Sequence, residues 1–395
     1  MKRLRVPGDK SISHRALLLA ARAEGVSRVS GLSDGEDVRH TAAAVAAMGA
    51  RIDGDRIHGG ELHGVDGVID VGNSGTGMRL LAGYCAALPW RTVLRGDESV
   101  DRRPMDRVAE PLRLMGARID EAYPPLAVDG GGLHGIDYAL PVPSAQVKGA
   151  VLLAGLGAEG DTVVRESVPT RMHTEELLQL AGADVEVGDG VVRVRASALH
   201  PFELDVPGDP SQAAFWVVAG AIVPGMELVV ENVYVGPGRG GFLDVLRRMG
   251  ADIEVDGGDI HVRSSPLHAT EVAGVEVPGL IDEIPVLAVA AACAEGTTVF
   301  RDAAELRVKE SDRVATVVEM LRTLGATAEE AEDGLSVTGP ARLHGGHVDS
   351  QGDHRIAMSA AIAGLVADGP VTVERRESVA TSYPGFEEDL RRCVS

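Results

Sequence analysis

Lysine is nearly missing from this sequence: 4 lysines stand against 34 arginines. Aromatic residues make up only 3% of its 395 residues, and there are 3 cysteines. Each shortage excludes something. With so few rings, the hydrophobic 45% of the chain must be largely Ala, Val, Leu and Ile. A surface that stacks single-stranded bases needs rings this chain does not have. A net charge of −21 argues further against nucleic acid or an anionic membrane as partner. Cys85, Cys293 and Cys393 lie far apart without a Cys-x-x-Cys pair, so neither a disulfide framework nor a metal site is expected. A reducing cytoplasm fits that usage. No run of about 20 residues is uninterruptedly apolar, so no membrane span is expected. The start is basic at Lys2, Arg3 and Arg5 but runs directly into Pro7, Gly8 and Asp9, without the apolar core of a secretory signal. A soluble protein is therefore expected, and the length predicts two or three domains.

What is present is a repeat. Five Gly-Ala phrases, at Gly49, Gly116, Gly182, Gly250 and Gly325, each follow an amphipathic helical pattern and precede a short strand-like run such as Arg118-Ile119. The intervals between these glycines are 67, 66, 68 and 75 residues, a near-constant period that marks repeated units. Glycine suits such a place because a helix ends readily in a left-handed residue. A second phrase keeps the same period: a polar loop opening a small-residue helix, at 11–21, 73–83, 144–155, 210–220, 282–292 and 353–364. These helices read as buried on most sides, with anion-favouring starts where N–H groups and the positive dipole end are free. The coarse reading is six units, three per domain. The matching phrases Pro7-Gly8-Asp9 and Pro207-Gly208-Asp209 mark the crossings, giving one domain of 10–208 and another of 1–9 plus 209–395.

The polar runs gather cations at Lys10, Arg15, Arg79, Arg102, Arg103, Arg171, Arg307, Lys309, Arg313 and Arg355. Arginine forks suit carboxylate and phosphate oxygens, so their convergence would hold more than one anionic group. Asp282, Glu283, Glu310 and Asp312 lie among them, either as ion-pair partners or as acid/base groups. The run Gly8–Ser11 has the end of a phosphate-binding loop but lacks its upstream glycine, which points away from nucleotide hydrolysis. The glycines of Gly72–Gly77 are not in the dinucleotide-binding order, although an anion would fit that turn.

Taken together, Pro7–Arg15, Gly72–Arg79, Arg102–Pro104, Ser144–Gln146, Glu305–Arg313, Asp353–Arg355 and Thr381–Pro384 resemble the 5-enolpyruvylshikimate-3-phosphate synthase family of enolpyruvyl transferases. The resemblance implies an α/β fold of two similar domains. Each would be three βαβαββ units with buried helices, an inside-out α/β barrel, joined by a two-strand hinge. It implies transfer of the enolpyruvyl group of phosphoenolpyruvate to the 5-hydroxyl of shikimate 3-phosphate with release of phosphate. No metal or organic cofactor is implied, and a monomer is expected.

By the same resemblance, Lys10, Gly75, Arg103, Gln146, Arg313 and Arg355 would meet phosphoenolpyruvate. Lys10, Ser11, Arg15, Ser144, Ala145, Gln146, Arg171, Asp282 and Lys309 would meet shikimate 3-phosphate, and Asn73 would shape a nearby turn. Asp282, Glu310 and Lys10 would be catalytic. The first domain would then carry most of the shikimate 3-phosphate site, and the second the acid/base residues and carboxylate clamp. Gly75 would leave room for the inhibitor glyphosate. The chain departs from the family pattern at Thr381, where many members have lysine, and at Glu305, where some have asparagine. A relative of the same fold, the UDP-N-acetylglucosamine enolpyruvyl transferase, uses a Lys-Asn pair and a loop cysteine. Here the pair is Lys10-Ser11, and no cysteine lies between Cys85 and Cys293. A non-catalytic module that binds phosphorylated metabolites is the other alternative. Lys2 is expected to be solvated, and Lys148 to add to the positive field at the Ser144 helix start.

Overall fold

The computed structural model describes residues 2–394. The chain divides into two units, one of Gly8–Val206 and the other of the segment up to Pro7 with everything from Pro207 onward. Both boundaries fall two residues before the positions read from the sequence. Backbone contacts explain this. A Cβ on Gly8 would lie 1.9 Å from the carbonyl oxygen of Gly31, so Gly8 belongs to the first of these units. The Gly208 N–H donates to the Asn232 carbonyl at 2.6 Å and the Asp209 N–H to the Pro7 carbonyl at 2.8 Å, which ties both to the second.

Four sheets share one strand order, a parallel pair followed by an antiparallel hairpin. In the first unit, Glu203–Asp205 runs parallel to Gly25–Ser30, which pairs antiparallel with Arg56–Gly59, itself paired with Arg51–Asp53. The same order recurs around Thr162–Arg165 in this unit. In the other unit it recurs around Glu227–Val230 and around Gly296–Phe300. Two repeats are shortened. Arg118-Ile119 does not form the expected strand; Arg118 makes a single bridge to Asp129. The prolines at 124 and 125, which carry no N–H, follow closely and suit a turn better than a longer ladder. The last repeat has only His344–Asp349 parallel to Asp368–Glu374 before the helix Phe386–Val394.

The six small-residue helices are Lys10–Arg22, Gly75–Ala86, Ala145–Gly155, Pro210–Ile222, Ile284–Cys293 and His354–Ala363. Five have a side-chain cap, from Asp9, Ser74, Ser144, Asp209 and Asp353. Each such cap contributes about 1 kcal/mol. Behind the caps the bodies are buried, as in the fully covered run Ala16–Ala21. The five Gly-Ala phrases end five further helices, with φ between 75° and 112° at their glycines. The scarce rings concentrate in one place, where Phe215, Trp216, Tyr383 and Phe386 pack together. Lys2 is not simply solvated: it lies in the strand Lys2–Leu4 and its Nζ donates to the Cys393 carbonyl at 2.9 Å.

Such helices approach closely because small residues face each other. A Cβ on Gly83 would lie 2.1 Å from the Ala150 carbonyl oxygen on the neighbouring helix. Gly83→Ala is therefore expected to cost about 1–3 kcal/mol, read as a lower urea midpoint; an unchanged midpoint would disprove this tight contact.

Burial also neutralises a side chain. His14 is fully enclosed, with Nδ1 2.7 Å from the Thr41 hydroxyl. Burial pushes its imidazole down to about 3; Lys10 and Arg15 push the same way and Asp37 opposes them. The unfolded chain takes up this proton near 6.5 and the folded chain not until about 3. The stabilisation is therefore complete above pH 6.5 and drains away as pH falls through that window. Between pH 7 and pH 5 this one residue is expected to cost about 2 kcal/mol. Chemical unfolding of the parent and of His14→Gln at both pH values measures it, and equal losses in the two proteins would refute it.

Candidate active site

In the Gly8–Val206 unit, three helix starts carry the polar residues. Lys10 opens its helix directly after the cap Asp9, and its Nζ lies 2.8 Å from Asp37 Oδ2. Arg15 sits one turn further on, with Nε donating to the Thr174 hydroxyl at 2.6 Å and Nη1 to the Ser11 carbonyl at 2.9 Å. Its Nη2 donates to the Ala145 carbonyl at 3.3 Å. Burial lowers the Arg15 guanidinium to about 10, which leaves it charged at neutral pH.

The second start is Gly75. A Cβ there would lie 3.0 Å from both Arg79 Nη1 and Arg103 Nη1, so the two forks converge over the bare glycine. Arg79 Nη1 donates to the Gly75 carbonyl and to Gln146 Oε1, each at 3.0 Å. Arg103 is steadied by Ser99, whose hydroxyl accepts from Nη2 at 3.0 Å. Asn73 donates to Asp97 at 2.6 Å and so fixes the turn before the helix. At the third start, Ser144 caps the helix by accepting from the Val147 N–H, and Gln146 Nε2 donates to the Thr76 hydroxyl at 2.9 Å. Arg171 is half-buried in the segment before the helix His173–Leu180.

In the other unit, Arg313 is the centre. It is 1% exposed and uses every arm of its fork: Nε to Asp353 at 2.8 Å, Nη1 to Asp282 at 3.1 Å and Nη2 to Glu310 at 2.7 Å. Burial alone would lower its pKa, but Glu310, Asp353 and Asp282 outweigh that and raise it above the ordinary arginine value. Arg355 adds a second fork, with Nε 3.4 Å from Asp282 Oδ1 and Nη1 donating to the Asp282 carbonyl at 3.3 Å. Asp282 and Glu310 thus share one cation, a pairing two loops apart in sequence.

Several sequence candidates are held by neighbouring partners. Lys309 pairs with Glu305 at 3.2 Å. Arg307 goes to Asp312 and Glu330, and Arg102 to Glu98 on an exposed helix face. Asp312 caps the helix Arg313–Thr323, and Glu283 is buried against Ser211 and Arg239, so both have structural roles. Lys148 does not add to a positive helix start: its ammonium is buried between Glu166 and Glu175. Sequence reasoning left Asp37, Thr174 and Asp353 without a role, although each holds a site cation. Only Asp353 carried a signal, as the residue before a helix beginning His354-Arg355; the partners of Asp37 and Thr174 lie 27 and 159 residues away.

A sequence model of the family described as EPSP synthase (3-phosphoshikimate 1-carboxyvinyltransferase) matches residues 1–390. A 3-phosphoshikimate 1-carboxyvinyltransferase of Gloeobacter violaceus is 52% identical over 410 residues, covering 98% of this chain and 95% of that relative. One of Pelobacter propionicus is 50% identical over 408 residues, again covering 98% and 95%. The solved EPSP synthase from Acinetobacter baumannii matches with a TM-score of 0.88 at 42% identity, over 99% of this chain and 95% of that one. The enolpyruvyl transferase NikO from Streptomyces tendae shares the fold, with a TM-score of 0.81 at 19% identity over 100% and 94%. With its repeated βαβαββ architecture and its arginine-lined helix starts, the chain belongs to the EPSP synthase family.

Proposed function

We propose that this protein transfers the enolpyruvyl group of phosphoenolpyruvate to the 5-hydroxyl of shikimate 3-phosphate, releasing phosphate. The observation that carries this reading is the grouping of anion-holding side chains. Lys10, Arg15, Arg79, Arg103 and Gln146 stand at three helix starts of one unit. Arg313 and Arg355 stand with Asp282 and Glu310 in the other. Both substrates carry a phosphate and a carboxylate, so a net charge of −21 can coexist with such substrates only if cations are concentrated locally.

In this assignment Lys10, Arg103 and Gln146 hold the phosphate of phosphoenolpyruvate, and Gly75 lets the backbone come close to it. Arg313 and Arg355 hold its carboxylate. Ser11, Arg15, Ser144, Ala145 and Arg171 hold shikimate 3-phosphate, with Lys10 and Gln146 touching both substrates and Asp282 and Lys309 on hydroxyls. Lys309 would exchange Glu305 for the substrate to do so.

Chemistry follows from charge. Glu310 delivers a proton to the methylene carbon, which makes the neighbouring carbon electrophilic, while Asp282 takes the proton of the attacking 5-hydroxyl. Lys10 stabilises the charge on the phosphate. The tetrahedral intermediate then loses a methyl proton and its phosphate, restoring the carbon–carbon double bond. Arg313 couples binding to this step, because a substrate carboxylate arriving on Nη2 displaces Glu310.

A phosphate-release assay with phosphoenolpyruvate and shikimate 3-phosphate tests the reading, with UDP-N-acetylglucosamine as the competing acceptor. Asp282→Ala and Glu310→Ala are each expected to lower kcat by about 10²–10⁴-fold. Lys10→Arg should also fail, since a wide fork cannot replace a compact ammonium against Asp37. Near-parental turnover in the Asp282 or Glu310 variant would remove that residue from the mechanism.

Glyphosate should inhibit the parent. Gly75→Ala, which fills the space beneath Arg79 and Arg103, should weaken that inhibition by about tenfold or more. Inhibition curves unmoved by the methyl would show that the inhibitor does not use this space.

A further inference from the structure

We propose that Lys148 is a positioning residue for the shikimate 3-phosphate site, acting through a buried triad with Glu166 and Glu175; this rests on the substrate reading above. The Lys148 side chain is 0% exposed, and its Nζ lies 2.7 Å from both Glu166 Oε2 and Glu175 Oε1. Glu175 Oε2 is buried and makes no hydrogen bond among the described residues. Replacing an ammonium and two carboxylates so enclosed with well-packed apolar side chains of the same volume is often neutral or stabilising. Stability is therefore weak ground for the triad.

Its attachments are firmer ground. Lys148 lies in the first turn of the helix whose start supplies Ser144, Ala145 and Gln146. Glu166 also accepts a hydrogen bond from the Thr170 hydroxyl, and Thr170 immediately precedes Arg171. Glu175 follows Thr174, whose hydroxyl accepts from Arg15 Nε at 2.6 Å. A Cβ on Gly149, next to Lys148, would lie 2.9 Å from that hydroxyl and 3.0 Å from Arg15 Nη2, so the Arg15 fork rests directly on this turn. One ammonium thus fastens three separate segments, and they carry or hold Ser144, Ala145, Gln146, Arg171 and Arg15. Charge balances as well: Glu175 supports the charged form of Arg15 against its burial.

Lys148→Met would strand two buried carboxylates and is prone to misfold, so the informative variants are milder. Thr170→Val cuts only the hydroxyl link to the Arg171 segment, and Glu166→Gln keeps the shape while removing a charge. In steady-state phosphate release, both are expected to raise KM for shikimate 3-phosphate by about 3- to 10-fold. For Thr170→Val, whose link runs only to the Arg171 segment, KM for phosphoenolpyruvate and kcat should stay within about twofold, and Thr170→Ser should restore the parental KM. Variants that lower the unfolding midpoint while leaving KM for shikimate 3-phosphate at the parental value would reduce the triad to a structural role and overturn the proposal. Equal rises in both KM values for Thr170→Val would overturn it too. A parent that releases no phosphate from the two substrates would instead refute the substrate reading itself, and the positioning role with it.

Discussion

A helix covered on every side can present charge only at its ends, and this constraint governs where chemistry can occur in the protein. The bodies of the six small-residue helices are mostly alanine, leucine, valine, isoleucine and glycine, packed closely enough that a Cβ on Gly83 would lie 2.1 Å from the Ala150 carbonyl oxygen. Five begin with an aspartate or serine cap, and polar residues cluster at those starts, whereas Ile284–Cys293 opens on an apolar turn. Lys10, Gly75, Gln146 and Arg355 are all within two residues of such a cap. Anion binding and helix burial are therefore one design: the dipole ends that burial leaves available are those a phosphate or carboxylate favours.

Charge is handled differently in the two units. At the Lys10, Gly75 and Ala145 helix starts, cations are steadied mainly by hydroxyls, carbonyls and an amide, with Asp37 as the carboxylate partner of Lys10. In the other unit Arg313 is saturated by three carboxylates. Asp353 is wholly buried and structural, whereas Asp282 and Glu310 keep 26% and 28% of their side-chain surface and remain reachable by a ligand. Removing the arginine would leave Asp353 uncompensated, at a cost of about 3–5 kcal/mol. The same side chain thus joins a buried carboxylate to two that stay accessible.

The scarcity of lysine takes on meaning in this light. Lys2 closes the strand Lys2–Leu4 onto the Cys393 carbonyl, Lys10 stands on Asp37, Lys148 on Glu166 and Glu175, and Lys309 on Glu305. All four have a specific partner, and only one of these partners is a near neighbour in sequence. A compact ammonium fits between two buried carboxylates where a guanidinium fork would need more room.

Periodicity made the repeats legible without coordinates, since a glycine after each amphipathic helix and a polar opening to each small-residue helix are local demands of the backbone. Five of the Gly-Ala phrases end helices, and all six small-residue helices form within a few residues of their expected spans. Lys10 and Arg355 stand in the first turn of two of those helices, whereas Arg313 opens the helix Arg313–Thr323 and Arg103 follows the short helix Glu98–Asp101, so these two stand out only as parts of their motifs. Pairing was not readable. That Arg313 takes Asp282 and Asp353, that Arg15 rests on Thr174, and that Lys148 is buried between Glu166 and Glu175 all depend on residues brought together from 18 to 159 positions away. Local propensity acts over a few residues, whereas burial and ion pairing are settled only once distant segments have excluded water between them; the first is written along the chain, and the second exists only in the folded protein.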